Sequence, residues 1–253
     1  MKKIFSMCLA FLLVGGLLTA CQSQTAAPAA SESKPDSVST SGSEHLASEQ
    51  HSAPVAQVSV AKEVVPEAER SDVVAIDMGD DMGRIVIQLL PQYAPETVKN
   101  FKELVAKHFY DGLIFHRIID GFMIQGGDPT GTGMGGAEET IKGEFLDNGV
   151  ENLLSHRRGV VSMARSQDFN SASSQFFICN ADSTFLDRQY AAFGRVLSGM
   201  DVVDRIAKLP KNAQDRPDHP PVMKEVSFLS QDEANAAIEA AEAQSPAASE
   251  TQN

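Results

Sequence analysis

Phe115-His116-Arg117-Ile118-Ile119-Asp120-Gly121-Phe122-Met123-Ile124-Gln125-Gly126-Gly127-Asp128 is the stretch on which the fold turns. Two short runs rich in β-branched and aromatic residues, near 113–119 and 122–125, are separated by Asp120-Gly121. Runs of this composition bounded by Gly and Asp read as strands. Working outward, similar runs recur near 159–164, 175–180 and 191–197, separated by loops of Gly, Ser, Asn and Asp. Upstream, 73–78 and 84–89 read as two strands around Gly79-Asp80-Asp81-Met82-Gly83, and downstream 222–229 reads as a last strand. Two helices interrupt them. Pro95 opens the first, a favoured place for it, and Val98, Phe101, Leu104 and Val105 give it one apolar face. The second fits 200–209 and ends at Pro210. Many short strands with two helices predict a mainly antiparallel barrel or sandwich.

Core-forming residues are confined to this middle region: all 3 Tyr and 11 of the 13 Phe fall between 72 and 230. On either side the composition changes. Residues 22–70 hold no aromatic residue, no Ile, no Met and only one Leu, Leu46. Such a segment buries too little apolar surface to offset its ordering entropy. Residues 21–71 are therefore expected to be a disordered tether, and 231–253, rich in Ala and Glu, a disordered tail, because the weak helix that Glu233–Ala243 could form lacks an apolar face. At the start, Lys2 and Lys3 precede an apolar run over 4–20, read as a signal peptide. That run is marginal against the roughly 20 apolar residues a membrane-spanning helix needs, and Gly15-Gly16 interrupts it. Its end, Leu18-Thr19-Ala20-Cys21, resembles the lipobox of bacterial lipoproteins, which implies lipidation of Cys21 and an extracytoplasmic, membrane-anchored chain. If two membranes exist, Gln22 after the Cys favours the outer one by that family's sorting logic.

Charge and cysteine count remove other classes. The net charge of −13 argues against binding to nucleic acid, whose phosphates attract Lys and Arg. The 3 Cys, at 8, 21 and 179, form no CxxC pair and join no His cluster, so neither a zinc site nor a disulfide framework is supported. Gly131-Thr132-Gly133-Met134-Gly135-Gly136 satisfies G-x-G-x-x-G by letter, but Pro129 precedes it and no strand–turn–helix surrounds it. No G-x-S-x-G occurs, and Ser162 falls inside a strand pattern, so a serine nucleophile is not favoured.

The segment 115–128, with Gly159-Val160-Val161-Ser162-Met163-Ala164-Arg165, Ser174-Gln175-Phe176-Phe177-Ile178, Phe185-Leu186-Asp187 and Tyr190–Val196, resembles in order the cyclophilins, peptidyl-prolyl cis–trans isomerases. The resemblance spans about 72–230 and implies a closed eight-stranded antiparallel barrel capped by two α-helices. It also implies a site on the outer barrel face. Arg117 matches the catalytic arginine. Phe122, Met123, Phe177 and Leu186 match the pocket for the substrate proline, with Tyr190 on its wall where many members carry His. Gln125, Gly133, Ala164 and Gln175 match groups beside the peptide. Phe185 stands where cyclosporin-sensitive members carry Trp, and Arg165 where eukaryotic members commonly carry Asn. His116 is expected to be a buried, hydrogen-bonded residue, since this isomerisation abstracts no proton. The implied partners are flexible or unfolded proline-containing polypeptides, with no cofactor and no metal, and a monomer is expected. A peptide-binding or adhesion module that keeps the fold without useful catalysis is the alternative.

Overall fold

The computed structural model describes residues 62–244. The signal peptide, Cys21 and most of the tether lie outside the described residues, as does the tail beyond 244. Eight strands are present: β1 Val73–Asp77, β2 Arg84–Leu89, β3 Phe115–Ile119, β4 Met123–Gly126, β5 Val160–Met163, β6 Phe176–Cys179, β7 Ala192–Ser198 and β8 Glu225–Phe228. Three α-helices accompany them among the described residues: α1 Pro95–Ala106, α2 Met200–Ala207 and α3 Gln231–Gln244. Every strand pair is antiparallel, in the order β3-β4-β6-β5-β7-β2-β1-β8.

The ladder stops short of the closed barrel expected from the sequence. β3 and β8 are its two ends, and the sheet is an open half-barrel. Across the seam runs an isolated bridge, Ile114–Val222, supported by Phe115 N–H to Pro221 O and Met223 N–H to Leu113 O. The chain facing β3 here contains Pro217, Pro220 and Pro221. A proline has no N–H to return, so a continuous ladder cannot form against it.

The core lies on the concave side. The predicted face of α1 is buried, with Phe101 at its centre: its ring lies 5.0 Å from Tyr110, 5.1 Å from Phe193 and 5.5 Å, edge-on, from Phe176. Val202, Val203, Ile206 and Ala207 of α2 are buried as well. A second, smaller apolar cluster, Met123, Phe177, Cys179 and Leu186, packs separately.

Both flanks depart from their expected disorder. Residues 62–71 lie against the domain: Lys62 Nζ is 2.7 Å from Asp111 and 2.8 Å from Glu225, and Val65 N–H donates to Ala106 O. The start of the tail, read as lacking an apolar face, is α3. Ser230 and Glu233 form a capping box at its start, in which Ser230 N–H donates to the Glu233 carboxylate and Glu233 N–H to Ser230 Oγ. Ala234, Ala237 and Ile238 then cover Val73, Ala75, Val86 and Leu229. Three residues of one helical face suffice because the sheet already presents the other half of the contact.

Ala234→Asp tests this packing. Ala234 is 2% exposed, so a carboxylate there must be buried unpaired or push the helix off. A loss of about 1–3 kcal/mol is expected. In a domain of this size that lowers Tm by about 3–10 °C. An unchanged thermal unfolding curve of the full chain would show that α3 does not pack on the sheet.

Candidate active site

Strand alternation builds the site. In β4, Ile124 enters the main core while Met123 and Gln125 point outward; in β6, Phe176 and Ile178 enter it while Phe177 and Cys179 point outward. Register then aligns one cross-strand row: Arg117 of β3 opposite Gln125 of β4, Gln125 opposite Phe177 of β6, Phe177 opposite Ser162 of β5. An irregularity between Phe115 and Arg117 lets Phe115 enter the core while Arg117 joins the outer row.

On this face lies a cleft of about 200 Å³ lined by Arg117, Phe122, Met123, Gln125, Ala164, Arg165, Phe177, Leu186 and Tyr190. Arg117 and eight of the eleven residues that the resemblance gives to the pocket and peptide groove thus share one cavity. Gly133 and Gln175 line an adjoining cleft of about 310 Å³, which shares Gln125, Ala164 and Arg165 with the first. Phe185 lines neither. It stands at the rim, 68% exposed, with its ring 5.3 Å from Phe122.

The apolar floor is firm. Phe177 is buried, packs edge-on to Tyr190 at 6.0 Å, and has the His156 ring nearly parallel to it at 6.1 Å. Arg117 is 44% exposed, and its Nη2 lies 3.8 Å from Asp215 Oδ2, too far for a hydrogen bond. Asp215 is itself tied to Lys211, whose Nζ also donates to Ile118 O. The guanidinium therefore has a carboxylate to orient it and keeps N–H groups facing the cleft. Gln125 Nε2 donates to Gln175 Oε1 at 2.8 Å, and Gln175 Nε2 donates to Gly133 O and Gly135 O. This chain of amides fixes which atom Gln125 shows to a ligand: its Oε1, an acceptor.

The Gly131–Gly136 loop that mimics a nucleotide motif wraps a carboxylate instead. Buried Asp128 accepts from Thr130 N–H and Oγ1, Gly133 N–H and Gly135 N–H. Burial alone would raise its pKa; these hydrogen bonds, led by those from Thr130, bring it down to about 2. Gly133 has φ +87°, and a Cβ on Gly135 would fall 2.2 Å from Asp128 Oδ1, so both positions demand glycine.

The family model for cyclophilin type peptidyl-prolyl cis-trans isomerase/CLD matches residues 73–228. The chain belongs to this family. It is 42% identical over 146 residues to peptidyl-prolyl cis-trans isomerase ppi1 of Schizosaccharomyces pombe, covering 57% of this chain and 92% of that one. It is 45% identical over 150 residues to a peptidyl-prolyl cis-trans isomerase-like 1 of Rhizopus delemar, covering 59% and 87%. Among solved structures, a cyclophilin type peptidyl-prolyl cis-trans isomerase of Cryptosporidium parvum superposes with TM-score 0.57 at 32% identity, over 63% of this chain and 98% of that one. The cyclophilin AquaCyp293 of Hirschia baltica gives 0.53 at 29% identity, over 62% and 73%.

Several participants carry no mark in the sequence. Met134, Gly135, Ser166, Ser171 and Ser173 line the second cleft, and only the loop composition around them hinted at exposure. Behind Phe177, Asp187 Oδ1 is 2.8 Å from His156 Nδ1, and His156 Nε2 is 3.0 Å from Ser162 Oγ. His116 is buried as expected, but neither ring nitrogen has a hydrogen-bond partner among the described residues. Cys179 is buried, and burial pushes its thiol up to about 12, which leaves it unreactive.

The His156 contacts predict a pH effect. Burial lowers its pKa below the ordinary 6.5, against the pull of Asp187. The folded chain thus binds fewer protons there than the unfolded chain, so its contribution to stability is present above pH 6.5 and lost as pH falls through the lowered value. His156→Gln is expected to cost about 1–3 kcal/mol near neutral pH, since Asp187 and Ser162 lose a partner. It should also flatten the decline of stability below pH 6.5. Urea unfolding of both proteins across that range checks it, and equal slopes would sink the assignment.

Proposed function

We propose that this cyclophilin-type isomerase works as an extracytoplasmic foldase on X–Pro bonds of exported polypeptides, with Arg117 as the catalytic group and a lipid on Cys21 as the anchor. The observation that carries the catalytic part is the convergence of Arg117, Gln125 and an apolar floor of Phe122, Met123, Phe177 and Leu186 on one cleft.

The chemistry follows from the peptide bond. Amide resonance opposes rotation by about 18–20 kcal/mol. At the twisted geometry the proline nitrogen loses conjugation, becomes pyramidal and accepts a hydrogen bond, which it cannot do in either planar state. A guanidinium held over the cleft donates to that nitrogen only then, so it stabilises the transition state and not the substrate. The ring is held by the apolar floor, while Gln125 Oε1 accepts from a peptide N–H beside it. The preceding carbonyl is left to swing. No bond is made or broken, and no proton changes owner. A rate gain of roughly 10⁵ requires about 7 kcal/mol, and the arginine supplies part of it, positioning the rest.

The anchor rests on the sequence Leu18-Thr19-Ala20-Cys21 after a basic and apolar start. Each buried CH₂ of an acyl chain contributes about 0.8 kcal/mol, so two or more chains hold a protein stably where one does not.

Arg117→Ala is expected to lower kcat/KM for a proline peptide by roughly 10²–10³, the usual cost of one preorganised donor, with Tm nearly unchanged because the side chain fills no core space. A variant as active as the parent would remove Arg117 from the mechanism. Cys21→Ser should move the full chain from the detergent-rich to the aqueous phase while leaving turnover intact. Partitioning like the parent would mean that residues 4–20 hold the chain in the membrane themselves.

A further inference from the structure

Arg165 stands just beyond β5, and its guanidinium is fixed from nearly every side. Its Cζ lies 4.7 Å from the ring centroid of Tyr190, 4.9 Å from Phe169 and 5.2 Å from Phe145. Nε donates to Gln189 O at 3.0 Å and Nη1 to Ser166 O at 2.8 Å. Among the described residues, Nη2 has no acceptor, and no carboxylate lies within 4 Å of the group. Arg70, Arg84, Arg195 and Arg216 also have no carboxylate within 4 Å, but among the described residues only Arg165 stacks on aromatic rings. Four other arginines, at 157, 158, 188 and 205, hold carboxylates at 2.6–2.9 Å.

Its position matters more than its isolation. Arg165 borders both clefts, and no acidic residue lines either; the only other charged side chain there is Arg117. The charged side chains that line the clefts are thus both cationic, in a chain of net charge −13; Asp215 and Asp128 lie behind the lining, already bound to Lys211 and to the glycine loop. Stacking leaves the edge of a guanidinium free for in-plane acceptors, and a group already immobilised by rings loses little entropy when it takes one more. The rings also shield part of the half-buried group from water, which strengthens its attraction for an anion over that of a solvated lysine.

We propose that Arg165 makes this enzyme selective for acidic peptides: a Glu or Asp side chain flanking the isomerised proline enters the second cleft, beside Gly133, Ser171 and Ser173, and pairs with Nη2. A lysine at the same place meets an arginine and is disfavoured. The inference rests on the isomerase reading above and names the substrate class of that site.

The test walks a single Glu, Gln or Lys through an alanine peptide with one proline, from three residues before it to two after, using the full chain in detergent. At one position kcat/KM should fall in the order Glu, Gln, Lys, with Glu ahead of Gln by about three- to tenfold, the scale of one charge-assisted hydrogen bond at a partly exposed site. In Arg165→Gln that ratio should drop to about one, whatever the absolute rate. Raising salt from about 50 to 500 mM should shrink it in the parent protein, since screening weakens exposed pairs; this arm needs no variant and stands even if Arg165→Gln unfolds. A ratio near one at every position, or one that survives both salt and Arg165→Gln, overturns the proposal. No turnover of the all-alanine proline peptide would instead overturn the isomerase reading.

Discussion

Phe176 and Phe177 are neighbours in one strand and face opposite ways, and the rest of the site depends on that opposition. Phe176 meets Phe101 and Tyr110 in the core, at 5.5 Å each. With it held there, the period-two geometry of a strand leaves Phe177 no choice but the outer face. Antiparallel register then transmits the choice to the neighbours, placing Gln125 opposite Phe177 and Arg117 opposite Gln125. A one-residue slip of β6 would expose Phe176 and bury Phe177, which the core cannot accept. The functional row is thus fixed by packing on the far side of the sheet, and no contact within the cleft has to hold it there.

The second element of rigidity is polar. Asp128 follows β4 and gathers the N–H groups of the glycine loop around itself. The loop in turn offers Gly133 O and Gly135 O to Gln175, which holds Gln125. A carboxylate two residues past the end of β4 therefore orients an amide inside it by way of a loop and of Gln175, the residue just before β6. The arrangement needs glycine where the loop approaches Asp128 most closely and an anion at its centre. Both were visible as residues, but their meeting was not, because it depends on a loop returning to the strand it left.

What the sequence made legible was whatever follows from period and order. The helix at Pro95 with its face of Val98, Phe101, Leu104 and Val105, the strands and the outward row all come from alternation or from motifs in line. What escaped was set by contacts distant in sequence. The half-barrel stays open because prolines at 217, 220 and 221 come opposite β3, a juxtaposition that no local pattern announces. The α3 helix shows no apolar face in the sequence because Ala234, Ala237 and Ile238 make a narrow stripe; against a sheet that already shows Val73, Ala75 and Leu229, a narrow stripe is enough. Its start was nonetheless written in Ser230-Gln231-Asp232-Glu233, a capping-box spacing. Arg165 is visible in the sequence as a departure from the family pattern, while Phe145, which packs on it, stands 20 positions upstream and carries no local sign of the contact.

The line Asp187–His156–Ser162 has the residue types and hydrogen-bond order of a nucleophilic triad. Here burial decides what it does. Ser162 is 0% exposed and lies in the middle of β5, with its neighbours Val161 and Met163 in the core. No carbonyl can reach Oγ. What remains is a polar strut. Asp187 also accepts from His156 N–H and Ser155 Oγ, which fixes the residue following Leu186, and Ser162 is the register partner of Phe177. The strut joins the wall of the cleft to its floor, on the buried side, where a charged and a neutral group can be paired without water between them. Chemistry that would cut a peptide in an open cleft serves, one layer deeper, to hold still the surface on which a peptide turns.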